Sequence, residues 1–528
     1  MSATSESVHV RPFGREVVYA PTGEEAAAFD RRAIDRVGVP QSTLMENAGR
    51  AAAQVLCRLY PEGPVVAVLG AGNNGGDGLV ALRTMASWGR SVTAVTVADD
   101  VNASLLHGWD LTVVEGMSLG QDTAWDGALA QGAVLVDAIL GTGIHGAPRE
   151  PQARAIRALN RAERPVIALD LPSGTDAETG AVEGAAVRAD VTVAFGWPKL
   201  GTLFQPAREH AGRLIAVEIA FPPLAVGTFG ARLATPAWAS EHRPRREPGA
   251  HKNAVGALLL IAGRSGMAGA AAMAARAALR TGLGLLRVAS PSENREVIQS
   301  TVPEAIYVDT ADEEGMLEGL GRSNAVAVGP GIGTDEATAE MLKRTFASGA
   351  SPLLLDADAL TMAGSGAIPV LSDLAAERPV LVTPRAGEMS RITHETIEDI
   401  AVDRVGVARR AAGSSGVTVL LKGLPSVVAR RDGSLLVDTV GTSDLATGGI
   451  GDVLAGVAGA FLAQGVEPAE AGALGLVTCG RAATRAAKGV SLLPEDVIEE
   501  LTHAMMESGD GYTDLELPFV VFDQDPSR

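Results

Sequence analysis

The feature that most limits the fold is a rhythm of short, wholly apolar runs separated by helix-length segments, and it occurs twice. VVAVLG (65–70), VTAVTV (92–97), AVLVDAIL (133–140), PVIALDL (165–171), VTVAF (191–195) and RLIAVEIA (213–220) form the first series. Runs without polar alternation are buried on both faces, the pattern of a parallel sheet covered by helices. A second series starts at GALLLIAG (256–263) and runs through LLRVAS, AVAVGPG, PLLLDADAL, PVLVTP and VTVLLKG. SVVAR and LLVDTV predict a hairpin turning at Asp432 and Gly433. Helices are expected over 24–37 and 43–59, the second with Thr43 as its cap, and over 451–464, 468–487 and 494–506.

Between the two series, residues 221–250 carry Pro222, Pro223, Pro236, Pro244 and Pro248 beside Arg243, Arg245 and Arg246, which reads as a linker. A boundary near 235 follows, giving domains 1–235 and 236–528, and 528 residues are too many for one ordinary core. The expected class is α/β: a doubly wound sheet in each half, with loops at the strand C-termini carrying function.

Charge removes several classes of partner. Lys and Arg number 44 against 63 Asp and Glu, a net charge of −19, and aromatics are 4% of the chain. No nucleic acid and no anionic membrane is expected as partner. A small anionic ligand remains compatible, because helix N-termini hold phosphate on acidic proteins. Cys57 and Cys479 allow neither a disulfide framework nor zinc spacing, and suit a reducing compartment. The N-terminus lacks the apolar core of a signal peptide. The apolar stretch 453–463 is too short to span a bilayer, and Arg276 and Arg280 interrupt 267–286. A soluble, cytoplasmic protein is expected, with homo-oligomerisation left open.

The strongest local signal in the first half is GAGNNGGDG (70–78), between a strand and a helix. Glycines let the backbone approach a ligand, while Asn73, Asn74 and Asp77 add directional polar groups. VDAILGTGIHG (136–146) and ALDLPSGTD (168–176) place Asp137, Asp170 and Ser173 at two further strand ends. Asn74, Asp137 and Ser173 offer hard oxygens suited to a group I or II cation. Lys199, in GWPKLG, reads first as an exposed surface lysine, with a cation for the ligand as the alternative.

In the second half, ATGGIGDVLAG (446–456) combines an anion-cradling turn with an apolar helix, and Asp452 stands where a substrate hydroxyl would be deprotonated. LLKG (420–423), GPGIG (329–333) and LDADAL (355–360) add strand-end loops, and small residues at 269–272 admit a ligand near the following helix.

LMENAGRA (44–51), GAGNNGGDG, DAILGTGIHG and LDLPSG, in this order, resemble the NAD(P)H-hydrate epimerase family. HKNAVGALLLIAG, the small-residue helix to 286 and the GGIGD motif resemble the ribokinase-like NAD(P)H-hydrate dehydratase family. The resemblance implies a Rossmann-like domain holding potassium through Asn74, Asp137 and Ser173. It implies hydrate contacts from Asn73, Asn74, Gly75, Gly76, Asp77 and Asp170, and from Gly141, Thr142, Gly143, Ile144, His145, Gly146 and Ala147. Asp170 is the expected proton shuttle. In the ribokinase-like domain Ala270, Gly331, Arg385 and Asp452 are the implied hydrate contacts, with Asp452 as general base. Lys422, Gly423, Leu424, Pro425, Ser426 and Gly451 are implied for ADP or ATP with Mg²⁺.

The expected substrate is thus the hydrate of NADH or NADPH, epimerised in one half and dehydrated in the other. Departures from the family pattern fall at Arg385 in TPRAGE, at KGLPS (422–426) and at Asn253 in HKN. The alternatives are a ribokinase-like vitamin or sugar kinase, and a cofactor-binding scaffold with a degenerate kinase-like half. GNNGGDG argues against the first and Asp452 against the second.

Overall fold

The computed structural model describes residues 18–97, 103–109, 111–115, 122–143, 145–222, 229–252, 255–506 and 519–522. The chain forms two compact units, residues 1–231 with 512–528, and residues 232–511.

In the first unit the strands are β1 (Val65–Leu69), β2 (Val92–Thr96), β3 (Thr112–Glu115), β4 (Val134–Ala138), β5 (Val166–Leu169), β6 (Val191–Phe195) and β7 (Arg213–Val217). They lie in the order β3-β2-β1-β4-β5-β6-β7, all parallel. Every residue of β1, β4, β5 and β6 is buried, which is why these runs carry no polar alternation. The chain builds outward from β1 through β2 and β3, then returns to its other side with β4. That reversal opens a crevice beyond the C-terminal ends of β1 and β4, where Gly70 and the loop after Asp137 stand. β3 escaped the sequence rhythm because it is a mostly exposed edge strand.

The second unit has β8 (Ala231–Ala234), β9 (Ala257–Ile261), β10 (Leu285–Ser290), β11 (Ile306–Asp309), β12 (Ala325–Val328), β13 (Leu353–Leu355), β14 (Val380–Val382), β15 (Thr418–Leu421), β16 (Val427–Ala429) and β17 (Leu435–Asp438). Their order is β11-β10-β9-β12-β13-β14-β15-β16-β17-β8. Strands from β11 to β15 are parallel, and β15, β16 and β17 run antiparallel. The expected hairpin is β16–β17, with Gly433 at φ 82° in its turn. Here the winding reverses between β9 and β12. The helix Ile450–Ala463 packs so closely on Ala268–Arg280 that a Cβ on Gly456 would lie 2.1 Å from the Ala274 carbonyl oxygen.

Two segments differ from expectation. Part of the expected linker is ordered structure: β8 joins the second sheet beside β17, and Pro236–His242 is a helix capped by Thr235 with Pro236 in its first turn. Trp238, buried in the core of this unit, supplies the apolar anchor that prolines obscured in the sequence. The strand Phe519–Phe522, which a division at 235 leaves with the second half, pairs antiparallel with β7 in the first sheet. Among the described residues, no helix is long and apolar enough to cross a membrane.

Candidate active sites

At the first crevice, Gly70 and Gly75 make the turn possible. A Cβ on Gly70 would lie 1.9 Å from the Ile139 carbonyl oxygen, and one on Gly75 would lie 1.8 Å from that of Gly70. The chain then enters the helix Asn73–Ser87 inside the motif, so the helix's first unpaired N–H groups face the crevice. A cavity of about 680 Å³ opens here, lined by Asn73, Asn74, Asp77, Gly141, Thr142, Gly143 and Asp170. Gly75 and Gly76 shape the turn instead: Gly75 packs on Gly70, and Gly76 lies against Met45. His145 is exposed and pairs with Asp176 at 3.0 Å, while Ala147 packs near Gly184, so neither lines this cavity. Gly146, at φ 79°, turns the same loop, and Ile144 lies outside the described residues.

Asp137 and Ser173 are in direct contact, and Asn74 is linked to them through Leu140, whose N–H donates to Ser173 Oγ at 2.9 Å. Asn74 Nδ2 donates to the carbonyl oxygens of Leu140 (2.8 Å) and Leu169 (3.1 Å), while its buried Oδ1 has no partner among the described residues. Ser173 Oγ donates to Asp137 Oδ1 at 2.6 Å, and Ser173 N to Oδ2 at 2.8 Å. Asp137 is fully buried, and burial raises its pKa to about 6 against the lowering effect of the Ser173 hydrogen bonds. A buried acceptor without a donor is costly, and a cation is one group that would satisfy the Asn74 Oδ1.

Asp170 sits at φ 67°, a conformation rare for a residue with a side chain. Its Oδ1 receives Lys199 Nζ at 2.5 Å and Phe195 N at 3.3 Å. Lys199 is 4% exposed, and Nζ also donates to the carbonyl oxygens of Phe195 and Trp197, each at 3.2 Å. The surface reading of Lys199 is therefore wrong; the pairing partner lies in a motif remote in sequence. Asp77 and Asp30 line the same cavity as the Asp170–Lys199 pair, so three carboxyls and one ammonium share it. Burial first, then the charges of Asp170 and Asp30, push the Asp77 pKa well up. Asp30 is exposed to the cavity, and the partial enclosure of its carboxyl there raises its pKa to about 6, opposed by Lys199 and reinforced by Asp170. Asp30 carried no sequence signal, being one charged position in an amphipathic helix.

In the second unit, the ends of β13, β14 and β15 bring Asp356, Arg385 and Lys422 to the start of the helix Ile450–Ala463. Gly331, at φ 60°, brings its backbone against Ala270, where a Cβ would stand 3.0 Å from the Ala270 methyl. Asp356, 1% exposed at the end of β13, accepts from Lys422 Nζ at 2.6 Å and Thr383 Oγ1 at 2.7 Å. Gly449, at φ 92°, caps the helix, placing Gly451 and Asp452 in its first turn. A Cβ on Gly451 would lie 3.5 Å from Arg385 Nη2 and 3.6 Å from Lys422 Nζ, so two cations flank the helix N-terminus. Burial and then the Asp356 charge raise the Asp452 pKa to about 6, opposed by Lys422 and Arg385. Gly423 and Leu424 are exposed and Pro425 and Ser426 buried; Ser426 Oγ donates to the Gly423 carbonyl oxygen at 2.8 Å. Arg404, not singled out in the sequence, donates to the Lys422 carbonyl oxygen at 3.0 Å and presses against Gly423. Asn253 lies outside the described residues.

Residues 41–201 match the family described as YjeF-related protein N-terminus, and residues 258–503 match NAD(P)H-hydrate dehydratase. The chain is 34% identical over 498 residues to the bifunctional NAD(P)H-hydrate repair enzyme Nnr of Moorella thermoacetica, covering 89% of this chain and 93% of that relative. It is 37% identical over 498 residues to the enzyme of the same name from Salinibacter ruber, covering 87% and 90%. A solved structure, the ADP/ATP-dependent NAD(P)H-hydrate dehydratase from Bacillus subtilis co-crystallised with ATP and Mg²⁺, is similar at 27% identity. It spans 52% of this chain and 96% of that one, with a TM-score of 0.46. By the extent and level of its likeness to these relatives, this chain belongs to the family of bifunctional NAD(P)H-hydrate repair enzymes.

Proposed function

We propose that the first unit interconverts the R and S hydrates of NADH and NADPH, and that the second dehydrates the S hydrate at the expense of ADP or ATP. The observation that carries this reading is shared by both units: a glycine-shaped turn opens a helix, and a raised-pKa carboxyl in that helix's first turns lies near a lysine from another strand-end loop.

In the second unit Asp452 takes the proton of the hydrate hydroxyl as it attacks the terminal phosphorus of the nucleotide. Amides at the start of the helix Ile450–Ala463, with Lys422 and Arg385 beside Gly451, hold the charge gathering on the phosphoryl group. Phosphate then leaves with the ring nitrogen lone pair behind it, the adjacent ring carbon loses a proton, and the C=C bond of the reduced nicotinamide is restored. Ala270 and Gly331 leave room for the hydrate, and residues 422–426 face the nucleotide. Mg²⁺ accompanies the nucleotide as its counter-ion.

In the first unit the ring nitrogen lone pair expels the hydroxyl, and water re-adds from the other face. Asp170, oriented by Lys199, handles a proton at that oxygen. Asn73, Asp77 and the loop 141–143 surround the ligand. Potassium fits the partnerless Asn74 Oδ1, with Asp137 and Ser173. When bound, it supplies positive charge beneath the ligand loops. Two free cysteines suit a cytoplasmic enzyme.

The full chain, given mixed hydrate epimers and ADP or ATP, restores the absorbance of reduced nicotinamide from both epimers. Phosphorylation of a sugar or vitamin with no effect on the hydrates would return the function to a small-molecule kinase.

A further inference from the structure

We propose that Asp30 is a second proton-transfer residue of the first-unit site, acting together with the Asp170–Lys199 pair. This rests on the epimerase reading above and adds to it a residue that neither the glycine motifs nor their strand ends contain.

Asp30 is held in place by three independent contacts of its own segment. The helix Gly23–Arg32 starts in a reciprocal cap, with Glu25 N on Thr22 Oγ1 at 3.1 Å and Thr22 N on Glu25 Oε2 at 2.9 Å. Just before it, the Pro21 carbonyl oxygen accepts from Leu200 N at 2.8 Å, tying the segment to the residue after Lys199. Phe29, 1% exposed, meets Trp197 edge-on at 5.4 Å and Phe221 at 4.9 Å. Because Phe29 adjoins Asp30 and Trp197 stands two residues before Lys199, this packing fixes the Asp30 backbone against the Lys199 loop. Asp30, Asp77, Asp170 and Lys199 all line the one cavity of about 680 Å³. The charged groups acting on Asp30 are Lys199, Asp170, Arg31 and Asp77.

The chemistry asks for more than one carboxyl. Epimerisation breaks a C–O bond on one ring face and makes one on the other, so the departing and arriving oxygens occupy different positions. A single fixed group reaches both poorly. Asp170 already receives Lys199 and the Phe195 amide on Oδ1, a setting for a carboxylate that accepts a proton. Asp30 is open to the cavity and supplies the complementary role. Its carboxylic acid protonates the leaving hydroxyl, the C–O bond breaks to release water, and the ring nitrogen lone pair forms the C=N bond of a cation. Water then adds to the opposite face, the electron pair returns to nitrogen, and the proton lost by that water passes to a carboxylate. Protons and electrons balance with no further reactant. The stacked Trp197 and Phe221 rings in the cavity wall offer a π face to the cation.

The test follows interconversion of separated epimers by chromatography, using the full-length chain without nucleotide and subtracting the uncatalysed rate. Wild-type epimerisation falls as pH rises through about 6, where the Asp30 acid is lost. Asp30→Asn lowers the rate by about 10²-fold or more and removes that limb. Asp30→Glu restores part of the rate together with the limb, and unchanged thermal unfolding of both variants shows that the fold is kept. If the wild type fails to interconvert epimers, the epimerase reading itself falls. If the wild type is active and Asp30→Asn keeps its rate, or loses rate while keeping the limb, Asp30 is not a proton-transfer group.

Discussion

At the scale of single residues, both sites set carboxyls with raised pKa values against a cation, and the signs of those shifts give direct tests. Asp452 must be ionised to act as a base, and its pKa of about 6 places the change within reach. Dehydration therefore falls as pH drops through about 6, while epimerisation depends on the first-unit carboxyls. Asp452→Asn lowers dehydration by about 10²–10⁴-fold with nucleotide affinity nearly unchanged. Near-normal turnover in the folded variant would remove Asp452 from that role. Asp170, Asp452, Asn74, Asp137 and Ser173 stood out as candidates because each lies in or beside a glycine-rich strand end or helix start, where backbone freedom and polar groups coincide. Lys199, Asp30 and Arg404 were not legible in this way. Their meaning comes from partners supplied by other segments: Asp170 for Lys199, Lys199 and Asp170 for Asp30, Gly423 for Arg404. No local pattern announces such a pairing.

At the scale of elements, the buried parallel strands followed from unbroken apolar runs, and the first sheet's winding reversal places its glycine motifs side by side. β3 and β11 were harder to see, since these sheet-edge strands are short and lack a run buried on both faces. β8 was hidden by the prolines around it, although its pairing with β17 is a matter of tertiary contact. Helix packing yields a sharper test. A Cβ on Gly456 would collide with the Ala274 carbonyl oxygen, a backbone atom that cannot rotate away. Gly456→Ala accordingly destabilises the second unit by about 1–3 kcal/mol and lowers dehydration, as read by denaturant unfolding and by turnover. A variant as stable and active as the wild type would show that the two helices are not so closely held.

At the scale of the whole molecule, two active sites in separate units divide one repair task. Adding water to the reduced nicotinamide creates both epimers, a chiral dehydratase accepts one, and an epimerase returns the other to use. If potassium sits at Asn74 Oδ1 as proposed, exchanging it for a large organic cation slows epimerisation, and Asp137→Ala does the same. Epimerisation indifferent to potassium would remove the ion from the account. The central claim is that the two sites act in series, and one measurement tests it most directly. The full chain, its Asp170→Ala variant and its Asp452→Asn variant are each given mixed epimers and nucleotide, with both epimers resolved over time. The wild type consumes both. Asp170→Ala consumes the S hydrate and leaves the R hydrate to its slow spontaneous conversion, whereas Asp452→Asn keeps equilibrating the epimers without restoring reduced nicotinamide. Equal loss of both activities in either folded variant would contradict two separate sites and point to one.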